Sequence, residues 1–119
     1  MAHSENHNLI GSDRVEGTYV YDKENVEIGH IDKLMLEKQT GRVAYAVVKF
    51  GDVFGLGGDQ YPLPWEKLEY DEKLDAYRLD VSRQDIEGAP KYPESDSAWT
   101  PELGRNVYGY YGIPPYWMI

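Results

Sequence analysis

Few side chains in this sequence combine the type and the spacing that chemistry needs. Gly55-Leu56-Gly57-Gly58 has the glycine density of a phosphate-cradling loop, but such a loop presents its anion to the N-terminal amides of a following helix. Here the continuation is Gln60-Tyr61-Pro62-Leu63-Pro64-Trp65, an extended run broken by prolines, so the glycines are read as a hairpin loop. Asp52 and Asp59 flank that loop and could face a hard cation, yet the close carboxylate spacing of a calcium loop is missing. They read as solvated loop ends. His3 and His7 are spaced for one helix face, and a histidine near a free amino terminus can take copper, but their surroundings are polar throughout and the pair is assigned no metal role. His30, two residues from Asp32, would need ligands from other strands, and a chain with three histidines supplies few. It reads as a surface or hydrogen-bonded strand residue.

Nucleophilic catalysis needs a hydroxyl and a base brought together in a cleft. Ser12, Ser82, Ser95 and Ser97 all fall in turn, cap or tail contexts, with no G-x-S-x-G setting. Carboxylates concentrate at hairpin ends such as Asp71-Glu72 and Asp75, where water stabilises the charge and leaves no poised acid. No catalytic residue, no cofactor and no metal site is expected, and the chain is read as a non-enzyme.

The bulk properties narrow the partners. A domain of 119 residues buries roughly two-thirds of its unfolded surface, and 41% hydrophobic with 13% aromatic residues is ample for one core. Acidic residues outnumber basic ones 21 to 12, for a formal charge of −9. That field repels phosphate backbones and anionic headgroups, and the basic residues are scattered singly, so direct nucleic-acid binding is not expected. The absence of cysteine removes disulfides, thiolate metal sites and cysteine nucleophiles. No apolar run approaches the roughly 18 residues of a membrane span, and the N-terminal segment has no signal-like core, which makes a cytoplasmic location the expectation.

The elements that must carry any site follow from periodicity and turn chemistry. Residues 1–10 read as a flexible polar arm. From Arg14 on, alternating or short apolar blocks are punctuated by turn signals about every ten residues, the rhythm of a small all-β domain. Strands are predicted over Arg14–Tyr21, Val26–Glu37, Arg42–Phe50, a proline-bearing edge with a sharp corner in Gln60–Trp65, and a hairpin of Leu68–Asp71 with Ala76–Val81. Asn25 suits the left-handed turn position of the first hairpin. The apolar spacing of the second strand slips from period two near Gly29 and Asp32, which implies a bulge or strong coiling. Ser82-Arg83-Gln84-Asp85 forms a capping-box pattern for one or two helical turns ending at Gly88.

The third strand is apolar on both sides: Val43, Tyr45 and Val47 point one way, while Ala44, Ala46, Val48 and Phe50 point the other. An antiparallel strand of that kind has both faces covered, so something beyond the barrel interior must lie on the Tyr45 side. The chain from Lys91 to Ile119 is the source of candidates. Thr100 as N-cap, Pro101 at the first helical position and Glu102 in the first turn predict a helix with Leu103, Val107, Tyr110 and Tyr111 as its apolar stripe, stopped by Gly112 and Pro114. Gly104 and Gly109 each weaken it by about 1 kcal/mol, so it needs a surface to lie on. The candidate interaction surface is Tyr45, Val47, Trp99, Leu103, Val107, Tyr108, Tyr110, Tyr111, Tyr116 and Trp117. Either the tail covers the third strand, in the same chain or in a symmetric partner, or its aromatics form an exposed anchor for another protein.

Several stretches in order resemble the PRC-barrel domain, the module shared by the cytoplasmic part of the photosynthetic reaction-centre H subunit and the C-terminal half of a bacterial ribosome-maturation factor. They are Gly17 before the first strand's apolar pair, Asp22 and Glu27 flanking the turn, and Ile28-Gly29-His30-Ile31-Asp32 with Leu34. Thr40-Gly41-Arg42-Val43-Ala44-Tyr45, the glycine loop and Leu63-Pro64-Trp65-Glu66-Lys67-Leu68 complete the series. Asn25 stands where glycine is more usual, and these 119 residues depart from the family pattern in showing no counterpart of the H subunit's membrane helix or of the maturation factor's N-terminal domain. The resemblance implies a mainly β fold, a small open PRC-type barrel of about six antiparallel strands over residues 11–90, with a short helical turn and an aromatic helical tail over 91–119. It also implies a docking role with no catalytic residues to carry over. The expected function is a protein-binding or assembly adaptor, homodimeric, with an unidentified protein partner. A ribosome-assembly or RNA-processing accessory role, by family analogy, and a small-ligand or metal-binding barrel are the alternatives.

Overall fold

Tight turns fix the strand plan. In the computed structural model, which describes residues 8–51, 59–93 and 95–115, Asn25 takes the left-handed conformation at φ 66°. The Asp22 carboxylate accepts from the backbone N–H groups of Glu24 and Val26, both at 2.9 Å, which closes the turn between β1 (Tyr19–Tyr21) and β2 (Glu27–Leu36). β3 (Val43–Phe50) and the edge strand β4 (Gln60–Pro64) follow, then a 3₁₀ turn over Trp65–Lys67. A short hairpin of β5 (Glu69–Asp71) and β6 (Ala76–Arg78) turns at Asp75, φ 50°. The sheet order is β4-β3-β2-β1-β6-β5, a mainly β, open six-stranded architecture. Asp52, the Gly55-to-Gly58 run, His3, His7, Tyr116 and Trp117 lie outside the described residues.

Two expectations are corrected. The stretch from Arg14 does not begin a strand: α1 (Ser12–Val15) is a single helical turn with Val15 buried, and extended structure starts only at Tyr19. Gly17, at φ 87°, redirects the chain and donates its N–H to the Ile31 carbonyl at 2.6 Å, so the segment is set by a distant strand and not by its own alternation. Nor are all the pairs antiparallel. β1 runs parallel to β6, with Val20 opposite Tyr77 and Tyr21 opposite Arg78. The Arg78 guanidinium holds this seam from both sides, donating to the Asp22 carbonyl at 2.7 Å and to the Asp71 carboxylate at 2.7 Å.

The slip in β2 is real. The pairing with β3 shifts between Ile31 and Lys33, leaving Asp32 as the extra residue, and shifts again between Met35 and Leu36. Gly29 leaves no room for a side chain beside β3: a Cβ there would lie 2.4 Å from the Lys49 carbonyl oxygen. On the inner face, Leu34, Ala46 and Leu63 form one cross-strand row and Ile31, Val48 and Tyr61 the next. These join Val20, Ile28, Phe50, Leu79 and Ile86 in the core. Ile86 comes from α2 (Arg83–Glu87), whose capping box is formed as expected. The Ser82 hydroxyl accepts from the Asp85 N–H, and the Asp85 carboxylate accepts from the Ser82 N–H.

Candidate interaction surface

The alternation that sends Ala46 and Val48 inward sends Tyr45 and Val47 to the opposite face of β3. Register places Met35 and Pro64 on either side of Tyr45, and Lys33 and Pro62 on either side of Val47. Prolines are tolerated there because β4 is the edge of the sheet. Tyr45 is nonetheless only 7% exposed and Val47 is fully buried.

Residues 91–113 provide the cover. Tyr92 donates its N–H to the Gln60 carbonyl at 2.9 Å, and its ring lies under the Lys33 ammonium, 4.6 Å from the centroid. Trp99 packs on Tyr92 at 5.7 Å and on Tyr45 at 5.1 Å. The helix α3 (Pro101–Tyr110) begins as its sequence predicts, with the Thr100 hydroxyl accepting from the Leu103 N–H at 3.1 Å and Pro101 in the first turn. It ends in a Schellman pattern: Gly112, at φ 72°, donates to the Gly109 carbonyl and Ile113 donates to the Tyr108 carbonyl.

The buried side of α3 is Gly104, Val107, Tyr108 and Tyr111, which corrects the expected stripe. Spacing of three, four and seven residues from Gly104 selects this set and turns Tyr110 to the rim, 43% exposed. Gly104, counted only as a weakness from the sequence, belongs to the packed face. Leu103 is half-buried. Tyr108 meets Tyr45 edge-on at 5.5 Å and donates its hydroxyl to the Ala44 carbonyl at 2.7 Å. Glu66, ion-paired with Arg42 at 3.4 Å, lies 3.4 Å from the same hydroxyl. Tyr110 donates its hydroxyl to the Asp85 carbonyl, tying α3 to α2. Tyr111 is buried, and its hydroxyl has no hydrogen-bond partner among the described residues. That burial, reinforced by Tyr110, Tyr61 and Asp85, pushes its ionisation far above the ordinary tyrosine range.

Of the proposed surface residues, Tyr45, Val47, Val107, Tyr108 and Tyr111 are thus consumed within the chain, and Tyr110 stays on the rim. Sequence reasoning missed Lys33 and Tyr92, which extend the aromatic layer. The signal for Tyr92 was its place at the head of the aromatic tail, while Lys33 needed the Asp32 bulge to be brought onto this face. Other exposed aromatics lie elsewhere: Tyr19 on β1, and Tyr70 on the edge strand β5. The Tyr70 hydroxyl donates to Asp75 at 2.5 Å, and that bond pushes its ionisation up to about 12.

The residues weighed for chemistry occupy structural positions. Ser82 caps α2, Ser95 and Ser97 bond one another at 3.1 Å, and Asp32 accepts from Gln60 at 2.5 Å. His30 is half-buried, opposite Tyr19 and Lys49. Among the described residues no group of three or more histidine or carboxylate side chains could hold a metal ion, and no helix is long and apolar enough to cross a membrane.

A family model for the PRC-barrel domain matches residues 7–86. The chain belongs to the PRC-barrel domain family. No curated protein matches it. The match ends within α2, so the segment that covers Tyr45 lies wholly beyond the PRC-barrel residues. Membership suggests a small adaptor-type domain and supplies no catalytic signature.

Proposed function

We propose that this protein is a non-catalytic protein-binding adaptor that self-associates as a homodimer, with the PRC barrel as a rigid platform and the C-terminal aromatic segment as its docking element. The observation that carries the reading is the pair of apolar faces on β3, the second of which is covered by a segment outside the family domain and not by the barrel itself. A face of that kind is sticky whenever its cover lifts, and Tyr and Trp are the side chains that dominate protein–protein hot spots. The net charge of −9 favours partners that are neutral or basic in their contact region.

Light scattering and thermal melts on the full chain and on a version ending at Pro90 test this. The full chain should associate as its concentration rises, and the shortened one should melt earlier. Stable monomers of equal melting temperature in both cases would remove the reading.

A further inference from the structure

The contacts that seat α3 and Trp99 join the C-terminal segment to the sheet and to α2. Trp99 and Tyr108 pack on Tyr45, the Tyr108 hydroxyl reaches the Ala44 carbonyl, and the Tyr110 hydroxyl reaches the Asp85 carbonyl. Between them lies a connector, residues 93–98. It begins with Pro93, and its only described regular structure is the 3₁₀ turn Asp96–Ala98. Tyr92, just before the connector, is anchored on Gln60 and Lys33. The arm after it holds a helix weakened by Gly104 and Gly109 that needs a surface in order to persist.

We propose that this arm, residues 99–113, is exchanged between two copies of the chain, each arm lying on the β3–β4 face of the other. The inference rests on the self-association reading and specifies its geometry. The occupant is a second copy because the seat is cut for this arm: ring meets ring at Tyr45, two tyrosine hydroxyls meet two backbone carbonyls, and Gly88 leaves room for Tyr110. A Cβ at Gly88 would stand 3.0 Å from the Tyr110 hydroxyl oxygen. An identical arm from a sister chain reproduces every such contact, so exchange sacrifices none and has only to overcome an effective concentration on the order of mM within one chain. Two chains of charge −9 repel, so added salt shifts the balance towards the dimer.

Complementation is the direct test. Tyr45→Ala damages the seat and Trp99→Ala damages the arm, so a mixed dimer regains one intact seat while concentrating both defects in the other. Native mass spectrometry of the co-refolded pair should show mixed dimers in excess over random pairing. Random proportions, or no folded dimer on mixing, would overturn arm exchange. If the parent chain dimerises without complementation, self-association stands and the exchange falls; if the parent stays monomeric at every concentration and salt, both fall.

Discussion

On the Ala46 face of β3, burial comes from side chains spread over the whole sheet: fully buried Val20, Ile31, Leu63 and Leu79, with the Phe50–Tyr61 ring pair among them. On the Tyr45 face it comes from rings at the far end of the chain: Trp99 is held by ring packing, Tyr108 also by its hydroxyl on the Ala44 carbonyl, and Tyr92 by its backbone N–H on Gln60. The first face closes only when all strands are in place, so it opens only when the domain unfolds. The second is expected to come undone as a unit, because its cover is one short helix and one indole that reach the sheet through residues 93–98. Packing shared by the whole sheet is thus expected to behave as one fixed body, and packing supplied by one late segment as a separate unit.

Mutations should separate the two faces by size and by reach. Leu63→Ala, in the interior, should destabilise the whole domain by about 2–5 kcal/mol, read as a lower urea midpoint common to all probes. Gly29→Ala forces a methyl against the Lys49 carbonyl, and a loss of about 1–3 kcal/mol is expected, again global. Tyr108→Phe removes one hydroxyl and strands the Ala44 carbonyl, for about 1 kcal/mol. Hydrogen exchange should quicken at α3 amides while β2 and β3 stay protected. Uniform loss across the molecule would show that the cover is not a separate unit.

The smallest effect is electrostatic. Asp71 is held below the ordinary carboxylate value of 3.8 by the Arg78 guanidinium first, then by the Leu74 and Lys73 amides. A carboxyl whose folded value is depressed adds stability above its unfolded value, and that stability is lost as pH falls through the folded one. Urea midpoints of the parent should therefore drop more between pH 7 and pH 3 than those of Asp71→Asn. Equal slopes would show that the seam between β1 and β6 does not depend on this pair.

Much of the plan could be read from local chemistry because the relevant physics is local. Asn25 at a left-handed turn, the Ser82–Asp85 capping box, Thr100-Pro101 opening a helix and Gly112 closing it each involve neighbours within a few residues. The doubly apolar run Val43–Phe50 was equally legible, since alternation is a property of one strand. What escaped was set at a distance. Arg14 and Val15 alternate like a strand but turn helical as Gly17 binds Ile31, and no pattern within Tyr19–Tyr21 states that its second neighbour is parallel. Tyr110 and Tyr108 are both aromatic, and only the packed helix shows which of them points in.

The parallel seam between β1 and β6 also imposes an order of events. A ribosome delivers residues 19–21 long before residues 76–78, so the first strand emerges with one edge unpaired and stays so while β2, β3 and β4 are being made. The nascent domain is therefore an incomplete sheet through most of translation, and the late arrival of a hairpin strand pair, clasped by Arg78, completes the sheet on which α2 and α3 then pack.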